Sequence, residues 1–245
     1  MNGASRGTWL LRLAGLAGVL GALGWIVGDV LIVGHVADAA DFPLLFVTHA
    51  DRIERDFALR LVGVPTSRLI AGALWAVFTL PLYLAGCWHL WRGVRGAGRW
   101  AIAAIALVFV GYAWSPLPHA AFYFVGAAYQ ALLATPADAH ATLLALADEF
   151  HGVLLATWYA SVLASVAGLL VLSAAIATGR SAYPRWFAIT ANPLVLAVVT
   201  IGLPHAWHGS AGDALLAAGF NTTWLLVYLQ SLVLLWNGTD ARSRR

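Results

Sequence analysis

Six stretches of this chain are each about twenty residues or longer, nearly free of charge, and apolar enough to cross a hydrocarbon core about 30 Å thick. They run Trp9–His35, Arg68–Trp91, Trp100–Pro118, Gly152–Thr178, Pro184–Leu203 and Asp213–Trp236. In lipid every backbone N–H and C=O must find a partner within the chain, so such stretches have to be helices. The expectation is an all-α polytopic transmembrane bundle of about six spans, a single integral membrane domain over residues 1–245. Composition agrees. The chain is 61% hydrophobic and only 10% charged, against about 25% charged in an ordinary soluble domain. That excludes a soluble enzyme, a nucleic-acid-binding module and a disordered chain, and no nucleic acid partner is expected. Arg6 and Arg12 precede the first apolar run as in a signal peptide, but the run is too long for one and reads as an uncleaved first span.

The net charge of +3 is a topology signal. All 14 basic residues are Arg, so a Schiff-base lysine and a P-loop lysine are both excluded. Ten of them fall on one side: Arg6 and Arg12, then Arg92, Arg95 and Arg99, then Arg180 and Arg185, then Arg242, Arg244 and Arg245. The other four, Arg52, Arg55, Arg60 and Arg68, lie in or beside the first long loop, among Asp38, Asp41, Asp51, Glu54 and Asp56. The positive-inside rule then puts both termini in the cytoplasm. Trp9, Trp88, Trp91, Trp100, Trp186 and Trp236 fall near the cytoplasmic span ends, as an interfacial belt does. The single Cys87 excludes an internal disulfide and a cysteine-cluster metal site.

Two segments outside the spans carry a pattern of their own. Over Thr48–Leu61, Asp51 with Arg55 and Arg52 with Asp56 are i,i+4 pairs, and Ile53, Phe57 and Leu61 share another face. This predicts an amphipathic helix on the outer surface, capped by Thr48 with Asp51. Residues Ala120–Ala134 either extend the third span past Pro116 and Pro118 or form a lid at the outer boundary.

Depth, counted at 1.5 Å per helical residue from the nearest cytoplasmic Arg, gives the most informative pattern. Seven of the eight histidines, all but His89, fall on the outer side. His119 and His205 lie about twenty residues from Arg99 and Arg185, His208 lies just beyond, and His151 opens the fourth span beside Glu149. Imidazoles and carboxylates near a low-dielectric wall titrate close to neutrality and suit acid–base work. The same groups bind zinc or heme iron, with His119, His151, His205 and His208 as the ligand candidates. The plain alternative is that outer loops are wet and collect polar residues, which fits His49 and His140 best.

Within the bilayer an ionisable residue is a functional candidate. Asp29 is the deepest acid, and its structural alternative is a packing hydrogen bond or a pairing with Arg68. Asn192-Pro193 interrupts the fifth span, as a kink or a ligand contact. Asn221 sits midway down the sixth, where an interhelical hydrogen bond is the ordinary role. Glu149-Phe150-His151 with Trp158 and Tyr159 lines up an acid, an imidazole and two aromatics along one helix start. Tyr123 is a further candidate for orienting substrate.

The segments Ser67-Arg68-Leu69 through Pro81-Leu82-Tyr83 to Gly86-Cys87-Trp88-His89, and Tyr183-Pro184-Arg185-Trp186 with Asn192-Pro193-Leu194, resemble a functionally uncharacterised family of bacterial six-span membrane proteins. That resemblance covers most of the chain and implies topology. In general character the chain is also similar to small intramembrane isomerases and cyclases, the fungal-type meroterpenoid cyclases and emopamil-binding sterol isomerases, by analogy of architecture. The leading expectation is an intramembrane enzyme doing acid–base chemistry (isomerisation, cyclisation or hydrolysis) on a lipophilic small molecule near the outer face. Its site would comprise Glu149, Asp29, His119, His151 and His205, with Tyr123, Trp158, Tyr159, Asn192 and Asn221 on the substrate. No cofactor is expected in that reading; zinc or heme belongs to the alternative. A proton-coupled carrier or binding protein, and a scaffold subunit, are the other classes, with homo-oligomerisation open.

Overall fold

The computed structural model describes residues 3–207 and 209–238. His208, Asp240, Arg242, Arg244 and Arg245 lie outside the described residues. All regular structure among the described residues is helical. The first helix, α1 (Gly3–Val33), leads by a loop of short turns to α2 (Arg55–Leu61) and then to α3 (Thr66–Val94). Next come α4 (Arg99–Trp114), α5 (Pro116–Ala134) and α6 (His140–Ala177). The remainder is α7 (Phe187–Thr190), α8 (Pro193–Ala197), a π-helical turn Val198–Gly202, α9 (Leu203–His205), α10 (Ser210–Ala217) and α11 (Gly219–Leu235).

Side-chain reach fixes the directions. Arg68 at the start of α3 donates to the carbonyls of Val30 and Leu31 at the end of α1. At the other end His89 meets the Leu11 carbonyl at 2.9 Å. The two helices are therefore antiparallel. Likewise α11 starts with Asn221 beside Asp29 and ends with the Trp236 carbonyl accepting from Arg12 at 2.8 Å. Both described chain ends thus lie at one end of the bundle, the basic end. There Trp9, Trp88, Trp91, Trp100, Trp186 and Trp236 are each at least 36% exposed, and Arg12, Arg92 and Arg99 sit over Trp236, Trp88 and Trp100. Apolar side chains along the helices, such as Phe78, Ile102, Leu163 and Val233, are exposed as well.

The expected spans hold in part. Four helices are long and apolar enough to cross a membrane, and α10 with α11, bent by 64°, would make a fifth. The third stretch does not stop at Pro118. Arg99–Ala134 runs as one 36-residue rod through the turn at Ser115, because Pro116 starts the new helix at its first position, where no N–H is needed. The fourth begins at His140 rather than Gly152 and runs 38 residues. The fifth, Pro184–Leu203, is broken into short pieces by Asn192-Pro193, the π turn and Pro204.

At about 1.5 Å per residue, the Arg99–Ala134 rod and α6 are longer than α1 and α3, and their far ends project past them. The first long loop wraps this projection, and a second core forms there from Leu45, Phe46, Ala58 and Leu61 against Val125, Leu132 and Leu144. The expected amphipathic helix over Thr48–Leu61 is only α2, Arg55–Leu61. Glu54, not Thr48 with Asp51, caps it by accepting from the Phe57 N–H at 2.7 Å. Arg52 pairs with Asp148 and Arg55 lies over Phe46, so neither predicted i,i+4 ion pair forms. Tertiary packing has outcompeted local charge pairing worth only about 0.2–0.5 kcal/mol.

The main core lies among α1, α3, α4 and α11, and aromatic rings fill it: Trp25, Tyr83, Tyr112, Trp224 and Tyr228. Glycines let the backbones close on those rings. A Cβ at Gly86 would stand 2.7 Å from the Tyr228 ring and 2.8 Å from the Gly18 Cα. Gly86→Val should therefore destabilise the protein by about 1–3 kcal/mol. A lowered melting temperature in detergent is the readout, and an unchanged one would mean that α1 and α3 do not pack this closely.

Candidate functional site

An open cavity of about 550 Å³ lies between α1, α5, α6, the broken fifth stretch and the α10–α11 bend. Its wall is apolar along α6 (Leu154, Val162, Val166, Leu169) and along the broken stretch (Pro193, Ala197, Ile201). Such volumes are typical of small-molecule sites. Asp29, His119, Asn221, Arg60 and Thr223 give it a polar lining.

His119 is the best-defined of these. One turn into α5, His119 turns both its backbone N–H, at 3.4 Å, and its ring back to the Ser115 carbonyl. Its Nδ1 lies 3.0 Å from that carbonyl. A carbonyl only accepts, so Nδ1 carries a hydrogen and Nε2 is the working nitrogen. Nε2 lies 3.0 Å from Asp29 Oδ1. The Trp25 ring, one turn before Asp29 on α1, packs edge-on to the imidazole at 4.2 Å. Asp29 Oδ2 accepts from Asn221 Nδ2 at 2.7 Å, and Asn221 Oδ1 accepts from the Tyr83 hydroxyl at 2.7 Å. Four helices are tied through five residues.

With Nδ1–H fixed, the Asp29–His119 pair has one place for one further proton, either on Nε2 or on Oδ1. Asn221 donates to Oδ2 while Nε2 faces Oδ1 at 3.0 Å, so that proton is shared across the contact. The two side chains are only 13% and 11% exposed, which strengthens every electrostatic contact between them. The arrangement can lend a proton to an occupant of the cavity and take one back.

The residues singled out from sequence separate clearly. Asp29, His119 and Asn221 meet, and Trp158 lines the cavity. The Asp29–Arg68 pairing does not occur; Arg68 and Arg60 instead donate to the last carbonyls of α1. These carbonyls lie at the C-terminal end of a helix, where a cation is favoured, and they account for two arginines on the Arg-poor side. Glu149 is exposed on α6. His151 stacks on Phe57 at 4.7 Å, with Phe57 itself on the cavity wall. His205 is exposed past Pro204. Tyr123 packs beside Phe124, and Tyr159 is exposed against Trp158. Asn192 caps α8 by accepting from the Leu194 N–H at 2.9 Å. His49 and His140 pair with each other in the projection at 3.3 Å. No group of three or more His, Cys, Asp or Glu suited to a metal ion occurs among the described residues.

Tyr83, Trp25 and Arg60 were not among the sequence candidates. The available signal was weak. Tyr83 is one of few polar side chains in an apolar span, and Arg60 is an arginine on the side where arginines are rare.

Residues 4–237 match the model of a family of unknown function, DUF6796, and the chain belongs to that family. No curated protein and no solved structure matches it.

Proposed function

We propose that this member of the family is an intramembrane enzyme doing acid–base chemistry on a lipophilic small molecule, with Asp29 and His119 as the proton-transferring pair. One observation carries the reading: a part-buried carboxylate–imidazole contact of 3.0 Å opening into a mostly apolar cavity of about 550 Å³. Isomerisation and cyclisation suit it best, because they add one proton and release one, as a pair with one mobile proton does. Asn221, held by Tyr83, keeps the carboxylate in place. The molecule would lie in a bacterial cytoplasmic membrane with its basic end in the cytoplasm, following the arginine asymmetry, and the site would then sit toward the outer face. The test is to reconstitute the protein in liposomes with a total lipid extract of its own membrane. A species of unchanged mass and new chromatographic retention supports the proposal. An extract unchanged after prolonged incubation counts against it.

A carrier is the second reading. It is favoured by the broken fifth stretch and the bent α10–α11 pair, which both line the cavity, since interrupted helices often frame transport sites. Counterflow of a cavity ligand across the liposome membrane would select it.

A further inference from the structure

We infer that Arg60 is the anchor for an anionic head group, so that the cavity takes a single-chain amphiphile bearing a carboxylate or a phosphate at one end. The inference rests on reading the cavity as a lipophile site and names the class of its occupant.

Arg60 ends α2 and lines the cavity, half-buried. It spends Nη1 on the Val33 carbonyl at 2.9 Å, which leaves further guanidinium donors in a fork suited to a carboxylate or phosphate. Among the described residues the ion pairs within 4.0 Å are Arg52–Asp148 and His119–Asp29, so no carboxylate neutralises Arg60. Asp29 is already committed to His119 and Asn221, and Asp56, one turn back on α2, is exposed. A half-buried cation beside an apolar wall is costly unless it gains a counter-charge. The α1 carboxyl-terminal dipole supplies only part of one.

The spacing completes the argument. Val33, whose carbonyl Arg60 holds, lies four residues or about 6 Å of helix rise beyond Asp29 on α1. An anion on Arg60 thus places atoms a few bonds down its chain against the Asp29–His119 pair. Beyond them Val162, Val166, Leu169, Ala197 and Ile201 receive hydrocarbon. The head is recognised, the neighbouring carbons are reacted upon, and the tail is solvated by the wall.

Binding tests this without turnover. Native mass spectrometry of the detergent-solubilised full chain is titrated with hexadecanoate, hexadecyl phosphate and hexadecanol. At least one anion should bind about tenfold or more tighter than the alcohol, and the better anion identifies the head group. Arg60→Gln should remove that preference and keep alcohol binding. Arg68→Gln, which loses the same kind of helix cap but does not line the cavity, should keep the preference. Equal binding of alcohol and anions to wild type, survival of the preference in Arg60→Gln, its loss in Arg68→Gln, or binding of none of the three would each overturn the anchor. The acid–base reading fails separately, on turnover in an Asp29 variant that still binds.

Discussion

Asp29→Asn should lower turnover by about 10²–10⁴-fold, the span that positioned acid–base groups contribute, in a protein that still folds. The substitution suits the surroundings. An amide at this position can turn its oxygen toward Asn221 Nδ2, where Asp29 Oδ2 now accepts at 2.7 Å. Its NH₂ then faces His119 Nε2, which becomes a neutral acceptor while Nδ1–H keeps the Ser115 carbonyl. Every hydrogen bond survives, and the mobile proton is gone. A merely structural Asp29 would tolerate this exchange. The measurement is the initial rate on whichever lipid-extract species the wild type converts, with melting temperature as the folding control. A variant within about threefold of wild type would remove Asp29 from the chemistry.

Trp224→Ala should be the most damaging single truncation for stability, at about 3–5 kcal/mol. Trp224 is fully buried and touches three rings: Tyr112 at 4.8 Å, Tyr228 at 6.1 Å and Tyr83 at 6.5 Å. Tyr83 in turn stacks on Tyr112 at 4.3 Å and holds Asn221. Deleting the indole leaves a cavity that these rings cannot close without releasing Asn221. For a chain of this size the melting temperature in detergent should fall on the order of 10 °C. Turnover should fall as well, since the carboxylate loses its support. A melting temperature within about 2 °C of wild type would mean that the aromatic cluster does not carry the bundle.

Much of the fold was legible because long uncharged apolar runs permit only helices. The arginine distribution likewise matches a bundle whose described ends share one face, where Arg12 meets Trp236. The failures have particular causes. Counting depth at a constant rise assumes straight helices, and the fifth stretch is not one: Asn192-Pro193 and Pro204 divide it, which leaves His205 exposed. Glu149 and His151 are neighbours in sequence, but residues two apart on a helix point away from each other; one faces out and the other lies against Phe57. Asp29, His119 and Asn221 were each visible as polar groups in apolar runs. Their convergence was not, because helix order depends on which glycines admit which rings, as Gly18 and Gly86 admit Tyr228. Arg60 was hidden for another reason: in sequence it shares a loop with Asp51, Glu54 and Asp56, whereas its partner in space is the end of α1.

If the Asp29–His119 pair transforms a lipophile held in the cavity, the two proteins must retain different isomers of it. Wild type and Asp29→Asn are extracted gently from the same membrane, whatever small molecule each retains is released, and the two are compared by mass spectrometry and NMR. Ligands of the same mass are expected, with the variant holding the unreacted isomer, its double bond or open chain intact, and the wild type holding a mixture or the product. The same isomer, in the same proportion, from both proteins would contradict it.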